Sequence, residues 1–125
     1  MGMVLVVDDH EDIRRMFARL VRSCGHEAVT AADGEEGITS ATANPPGLII
    51  LDLMMPRVTG FDVLRTLRAD SRTKHVAIVV FSALHDPEFV EQALSLGAND
   101  YWVKGTFDLT TLDKWLGYYL TEQKQ

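Results

Sequence analysis

Residues 4–15 read VLVVDDHEDIRR and join an apolar run to two acids and the start of a helical pattern. The apolar run, Met3–Val7, is continuous and rich in valine, which is typical of a strand buried on both faces. Along 11–24 apolar residues recur at three- and four-residue steps, as on one face of a helix. A strand followed directly by a helix is the repeating unit of parallel α/β sheets, so this stretch predicts that class.

The same unit recurs along the rest of the chain. Further strands are predicted over Glu27–Ala31, 48–52, 77–81 and 101–103, and further helices over Gly34–Ala43, Gly60–Ala69, 87–97 and 108–121. Strict alternation of strands and helices predicts a single α/β domain, 1–125, with a doubly wound five-stranded parallel sheet of (βα)5, flavodoxin-like topology. The polar tail, 121–125, is expected to be frayed.

Composition restricts the functional classes. The chain has 125 residues, 46% hydrophobic and 24% charged, as expected for one globular domain with its own core. A formal charge of -6 argues against direct nucleic-acid binding, which ordinarily requires a basic surface. No apolar run approaches the about 20 residues needed to span a bilayer, so no membrane insertion is expected. The lone cysteine, Cys24, is expected to be a buried small side chain in a cytoplasmic protein.

Chemically active side chains follow four of the predicted strands. Asp8 and Asp9 follow the first, Asp52 ends the third, Ser82 follows the fourth and Lys104 follows the fifth. Because the carboxyl ends of parallel strands share one edge, these groups should converge there. At a separation of about 4 Å and an effective dielectric near ~20, each pair of carboxylates repels by about 4 kcal/mol. The pattern therefore predicts Mg²⁺ among the carboxylates, Lys104 beside a bound anion, and phosphoryl transfer to a carboxylate.

Each of these residues also has an ordinary structural interpretation. Asp8 and Asp9 could cap the first helix, and Asp52 could be a turn acid. Met54 and Met55 are expected to be core side chains. Two acids together behind a buried strand favour the metal interpretation over capping.

Four motifs together resemble the receiver domain of two-component response regulators, of the chemotaxis-regulator-like kind. They are VLVVDDHEDIRR, LIILDLMMPRVTG, VVFSA and GANDYWVKG, and they cover essentially the whole chain in the family's order. The resemblance implies Asp52 as the phosphoacceptor, and Ser82 and Lys104 as contacts of the phosphoryl group. The implied Mg²⁺ ligands are Asp8, Asp9, Asp52 and the backbone carbonyl of Met54, and the implied switch residues are Ser82 and Tyr101.

The resemblance also implies a mechanism and partners. A sensor histidine kinase or a histidine phosphotransfer protein would pass a phosphoryl group from phosphohistidine to Asp52. The domain would assist its own phosphorylation and dephosphorylation without being an enzyme in the ordinary sense. The surface of the fourth helix, fifth strand and fifth helix would then bind an unidentified downstream protein or a second copy as a homodimer. Met54 and Leu84 are apolar at the positions that tune hydrolysis in the family, which implies slow self-dephosphorylation.

One residue departs from the family pattern, and several alternatives stay open. The family usually has a cis-linked proline after the lysine, where this chain has Gly105. A cis bond before a non-proline residue costs about 3–4 kcal/mol, so the sequence leaves open whether Lys104–Gly105 is cis or trans. A degenerate receiver that binds partners without phosphorylation is one alternative. A Mg²⁺-dependent aspartyl-phosphate phosphohydrolase and a flavin-binding flavodoxin are others, although the former lacks an acid at Met54 and the latter lacks a Ser/Thr/Gly phosphate loop. Trp102 is expected to pack on a sheet face.

Overall fold

The computed structural model describes residues 2–105 and 108–120, in which strands and helices alternate throughout. The strands are β1 (Met3–Val7), β2 (Glu27–Ala31), β3 (Leu48–Leu51), β4 (Ala77–Ser82) and β5 (Asp100–Val103). The helices are α1 (Glu11–Ser23), α2 (Gly34–Ala43), α3 (Gly60–Ala69), α4 (Pro87–Ser95) and α5 (Leu109–Trp115), and α5 continues as a π-helical turn, Leu116–Leu120. The predicted class and element order are confirmed.

All five strands form one parallel sheet in the order β2-β1-β3-β4-β5. Every residue of β3 and β4 is buried, as their continuous apolar runs predicted. The strand order reverses direction between β1 and β3, and ligands of such sheets bind beyond the strand ends at this switch point. The topology therefore places a crevice where β1 and β3 end.

Helices cover both faces of the sheet. Alternate residues of each central strand point to opposite sides, so that Leu5 and Val7 join one core and Val4 and Val6 the other. The first core packs against α2, α3 and α4, and the second packs against α1 and α5. Trp102 belongs to the second core, where its ring packs edge-to-face with Trp115 at a centroid distance of 4.7 Å. The predicted sheet-face packing of Trp102 is confirmed.

The fifth helix differs from its prediction over 108–121. Asp108 caps the helix, because its carboxylate accepts a hydrogen bond from the Thr110 N–H at 2.9 Å. Leu109, the first residue of the helix, is 52% exposed, whereas Leu112, Trp115 and Leu116 are buried. The buried face of α5 and of the turn that continues it is formed by Leu112, Trp115, Leu116 and Leu120, and Tyr119 packs against it.

Other boundaries differ by one or two residues, because the ends of helices and strands are set by capping and pairing rather than by apolar pattern. Cys24 is the C-terminal cap of α1 and is half-buried rather than fully buried. Thr121 and the predicted frayed tail, 121–125, lie outside the described residues. Among the described helices, none is long and apolar enough to cross a membrane.

Candidate functional site

Two buried aspartates lie side by side where β1 and β3 end. Asp8 and Asp52 each follow the last residue of their strand, and each is only 2% exposed. The Asp52 N–H donates to the Val7 carbonyl at 2.9 Å, which extends the parallel pairing by one step. The strand register thus brings the two carboxylates to the same edge, as the sequence predicted.

Lys104 supplies the positive charge between these carboxylates. Its Nζ atom lies 3.1 Å from Asp8 Oδ2 and 3.6 Å from Asp52 Oδ2. The Lys104 N–H donates to the Ser82 carbonyl at 2.7 Å, so the residue is held at the end of the β4–β5 pair. Its side chain is 17% exposed, which leaves the ammonium little water and strengthens its attraction to both acids.

Only one of the two oxygens of the Asp52 carboxylate accepts a hydrogen bond from the described residues. Oδ1 accepts a hydrogen bond from the Met54 N–H at 3.3 Å, whereas Oδ2 is buried without a hydrogen-bond partner in the described part of the chain. Burial, followed by the charge of Asp8, raises the pKa of Asp52 to about 6, against the opposing effects of Lys104 and the Met54 N–H. At neutral pH this leaves an ionised oxygen that is free to act as a nucleophile or a metal ligand.

The donor set fits a small divalent cation. Ligand atoms of Asp8, Asp9, His10 and Asp52 all lie within 4.8 Å of one another, and we call these residues the acidic cluster. Hard carboxylate oxygens suit Mg²⁺, and the unpartnered Asp52 Oδ2 provides one oxygen for it. Asp9 is exposed, so it closes the cluster on the solvent side.

His10 is the member of the acidic cluster that sequence reasoning missed. Its Nδ1 atom lies 2.9 Å from Asp8 Oδ1 and 3.2 Å from Asp9 Oδ1, and its N–H donates to Asp8 Oδ1 at 2.9 Å. The Asp8 carboxylate therefore folds back on His10, the residue that caps α1 without a side-chain bond. A histidine directly behind two acids at a strand end was the available signal.

The two methionines after Asp52 have opposite environments. Met55 is buried, as predicted, but Met54 is 56% exposed, so the expectation that it fills the core was wrong. The chain turns out of the sheet after Asp52, and successive residues of the loop then face opposite directions. The Met54 side chain consequently lies at the open side of the site, two residues from the phosphoacceptor candidate.

Gly60 brings α3 close to the site. A Cβ atom at this position would collide with the Asp52 carbonyl oxygen and the Leu53 backbone. A capping box between Thr59 and Asp62 fixes the start of α3 at the same point. The loop after Asp52 is therefore held between β3 and a well-capped helix.

Ser82 and Tyr101, the predicted switch residues, meet at the backbone of Leu84. The buried Ser82 Oγ accepts a hydrogen bond from the Leu84 N–H at 3.1 Å, and the Tyr101 hydroxyl donates to the Leu84 carbonyl at 2.6 Å. Burial raises the pKa of the Tyr101 phenol, so it stays a donor at neutral pH. One residue of the loop after β4 thus links the two side chains.

Gly105 gives the turn after Lys104 a conformation that proline cannot adopt. Its φ is +95°, whereas the proline ring holds φ near about −65°. The described residues contain no cis peptide bond, so the Lys104–Gly105 bond is trans. A glycine with positive φ thus replaces the cis-proline that is usual at this position in the family that the sequence resembles. Lys104 nevertheless contacts both buried aspartates.

Comparison with known proteins gives a consistent result. Residues 4–116 match the family described as response regulator receiver domain. The chain is 43% identical over 101 residues to a probable transcriptional regulator, ycf27, of Cyanophora paradoxa, which covers 81% of this chain and 41% of that protein. The chain therefore spans less than half the length of this relative.

Solved structures agree with the sequence matches. Chemotaxis protein CheY4 of Vibrio cholerae superposes with a TM-score of 0.87 at 34% identity, over 95% of this chain and 98% of that one. The receiver domain of sensor histidine kinase PA1611 from Pseudomonas aeruginosa PAO1 gives 0.87 at 26% identity, over 96% and 98%. The latter structure has a magnesium ion coordinated in its active-site cleft.

Proposed function

The chain belongs to the response regulator receiver domain family, and from this membership and the geometry of the site we propose that Asp52 is the phosphoacceptor of a two-component phosphorelay. The observation that carries the proposal is the buried Asp52 carboxylate, whose Oδ2 has no hydrogen-bond partner among the described residues and lies 3.6 Å from Lys104 Nζ. A nucleophile held next to a cation is what phosphoryl transfer requires.

The reaction would transfer one phosphoryl group from a phosphohistidine of a kinase or phosphotransfer protein. An Asp52 oxygen attacks phosphorus, the P–O bond forms as the P–N bond breaks, and the bonding pair returns to the imidazole nitrogen. Lys104 counters the negative charge of the transferred oxygens. Hydrolysis by water later releases inorganic phosphate and restores the carboxylate.

Asp8, Asp9, Asp52 and the Met54 carbonyl would hold Mg²⁺. The bound cation would supply further neutralisation of the phosphoryl oxygens and of the crowded carboxylates. The fit rests on the close approach of the acidic cluster and on the free Asp52 oxygen.

Partners would recognise the phosphorylated state through the surface formed by α4, β5 and α5. The Ser82 hydroxyl would turn toward the new phosphoryl group, and the Leu84 link would transmit the change to Tyr101 on β5. Two exposed apolar side chains, Leu94 of α4 and Tyr118 of the turn that continues α5, provide contact area for a downstream protein or for a second copy. The domain would act only on itself, once in each cycle, and would not turn over an external substrate.

A phosphorylation-independent binding module is the second candidate. It is favoured by the groups that already contact the acidic cluster, since His10 Nδ1 lies 3.2 Å from Asp9 Oδ1 and the Lys104 ammonium lies 3.1 Å from Asp8 Oδ2. Such a module would bind its partner equally well with and without a phosphodonor.

The decisive experiment is incubation with acetyl phosphate and Mg²⁺, followed by intact mass spectrometry. We expect one added phosphoryl group in the wild type and in Asp70→Asn, an acid outside the site, but none in Asp52→Asn. EDTA should abolish the labelling. Folded wild-type protein whose mass never changes would refute the proposal and favour the phosphorylation-independent module.

A further inference from the structure

His10 directs a ring nitrogen into the acidic cluster rather than toward the helix that it caps. It directly precedes α1 in an extended conformation, with φ -94° and ψ 116°, and its side chain makes no capping hydrogen bond to the described residues of the helix. The Nδ1 atom lies instead 2.9 Å from Asp8 Oδ1 and 3.2 Å from Asp9 Oδ1. The imidazole is therefore part of the site.

The Asp8 carboxylate has donors other than the imidazole. Its Oδ1 atom accepts a hydrogen bond from the His10 backbone N–H at 2.9 Å, and its Oδ2 atom lies 3.1 Å from Lys104 Nζ. A neutral imidazole has one protonated nitrogen and one nitrogen with a lone pair, and either ring nitrogen can carry the lone pair. Nδ1 can consequently face the acidic cluster as an electron-pair donor while Asp8 keeps both of its other partners.

The separations within the acidic cluster match those of ligands around one cation. At metal–ligand distances of about 2.1 Å and right angles, neighbouring ligand atoms of an octahedral site are about 3.0 Å apart. The two distances from His10 Nδ1, 2.9 Å and 3.2 Å, lie on either side of this value, and all four ligand atoms lie within 4.8 Å of one another. One ion can therefore contact the nitrogen and the carboxylates together.

A second observation points to a ligand independently of these distances. Asp52 is 2% exposed, and its Oδ2 atom accepts no hydrogen bond from the part of the chain that the structure describes. The three carboxylates of the acidic cluster and the ammonium of Lys104 leave two negative charges, which call for a divalent cation. A neutral imidazole does not alter this balance, so His10 adds a donor atom without adding a charge.

The type of the added donor decides which divalent cation the site prefers. Mg²⁺ is a hard ion that favours oxygen ligands and gives up its water reluctantly, so a nitrogen ligand gains it little. Imidazole nitrogen binds iron, nickel, copper and zinc ions well, and affinity rises along the first transition series as far as copper. Resting on the proposed function, in which the acidic cluster holds a divalent cation, we infer that His10 is a further ligand, by which the site selects a divalent first-row transition ion over Mg²⁺.

The outer side of the acidic cluster is open to an incoming ion. The side chains of His10 and Asp9 are 62% and 30% exposed, against 3% for Asp8. An ion from solvent meets the imidazole and Asp9 first and the buried carboxylates last. Because a transition ion and Mg²⁺ use the same carboxylates, they compete for one place, and the nitrogen ligand decides the competition.

The test compares the binding of Ni²⁺ and of Mg²⁺ by isothermal titration calorimetry. The proteins are the wild type, His10→Gln and the matched control His75→Gln, which changes an exposed histidine before β4, at the other end of that strand from the site. At one fixed neutral pH, we expect the ratio of Ni²⁺ affinity to Mg²⁺ affinity to fall about tenfold in His10→Gln and to stay unchanged in His75→Gln. An unchanged ratio in His10→Gln, or an equal fall in both variants, would overturn the inference.

Ring-nitrogen NMR of the ¹⁵N-labelled wild type reports ligation directly and does not depend on a variant. Zn²⁺ takes the place of Ni²⁺ in this measurement because it is diamagnetic. We expect one equivalent of Zn²⁺ to shift the Nδ1 resonance of His10 and to leave the ring resonances of His75 in place. Shifts of the Asp8 and Asp9 amides with the His10 ring unaffected would contradict ligation by His10.

The same measurements separate this inference from the proposed function. Mg²⁺ binding by the wild type, together with a Ni²⁺ affinity that does not depend on His10, overturns the inference alone. A folded wild type that binds neither ion overturns the inference and the proposed magnesium site together. If Mg²⁺ binds but acetyl phosphate does not label Asp52, the phosphoacceptor proposal fails, whereas the affinity ratio still decides the role of His10.

Discussion

Replacing Asp52 by asparagine should stabilise the folded protein at neutral pH while it removes the phosphoacceptor. The Asp52 carboxylate is buried beside Asp8, and burial raises its pKa from 3.8 to about 6. Ionisation is therefore harder in the folded state than in the unfolded chain. Asparagine keeps the size and the acceptor oxygen for the Met54 N–H but carries no charge, so it escapes this cost.

The size and sign of the effect follow from proton linkage. A folded-state pKa raised from 3.8 to about 6 means that the folded protein binds the proton more tightly. The wild type therefore loses stability as pH rises from about 4 through about 6, by about 3 kcal/mol in total. The advantage of Asp52→Asn should be absent near pH ~4 and complete above pH ~7, where it corresponds to roughly 10 °C in melting temperature for a domain of this size.

The assay is urea unfolding of both proteins between pH ~4 and pH ~8 in EDTA, followed by the fluorescence of the buried Trp102 and Trp115. Adding Mg²⁺ should reduce the difference in free energy of unfolding between Asp52→Asn and the wild type at high pH, because a cation held by the acidic cluster stabilises the wild type by mass action. Parallel stability curves for the two proteins at all pH values, or a less stable Asp52→Asn at pH ~8, would refute the reasoning.

Asp70 provides a control, because its carboxyl pKa is shifted in the direction opposite to that of Asp52. Hydrogen bonds from Arg72 lower the pKa of the Asp70 carboxylate to about 2. Folding favours the ionised form of Asp70. The resulting gain in stability is present at pH values above the pKa of Asp70 in the unfolded chain, and it is lost as the pH falls through the pKa in the folded protein. Asp70→Asn should accordingly give no gain in stability at neutral pH.

Three further predictions concern the loops and helices around the site. Met54→Asn with Leu84→Glu should speed loss of phosphate about tenfold, because polar side chains can orient the attacking water; an unchanged rate of phosphate release would contradict this. Arg68→Ala should lower the free energy of unfolding by about 3 kcal/mol, because the Arg68 guanidinium donates hydrogen bonds to five acceptors in the α3–β4 and α4–β5 loops. The surface control Arg65→Ala should lower it by less than about 0.5 kcal/mol, and urea unfolding measures both. Gly105→Ala should lower the free energy of unfolding by about 1 kcal/mol in the same assay, because φ is +95°, even though the described residues leave open space for the methyl group. An unchanged midpoint would show that the turn relaxes.

The sequence was sufficient to predict the fold and the residues at the strand ends. Continuous apolar runs identify buried parallel strands, and parallel strands necessarily carry Asp8, Asp52 and Lys104 to one edge. The 3.1 Å contact between Lys104 and Asp8 confirms that step without any information on loop conformation. These residues could be predicted because strand register, and not side-chain packing, decides their position.

Features that depend on the direction of a side chain could not be predicted in this way. Met54 and Met55 are identical in type, yet one is 56% exposed and the other buried, because the loop direction decides which faces the core. His10 was missed because its contact with Asp8 arises from a backbone turn after β1 rather than from helical or strand periodicity.

The charges of the site explain why the proposed switch would involve Leu84. Asp8, Asp9 and Asp52 with Lys104 leave two uncompensated negative charges, which one divalent cation matches. A phosphoryl group on Asp52 replaces one negative charge with two, so an additional hydrogen-bond donor is needed in a buried place. The Ser82 hydroxyl is buried there and currently accepts from the Leu84 N–H. Turning it toward the phosphoryl group would disturb the residue whose carbonyl holds Tyr101, and a change of charge would become a change of surface shape.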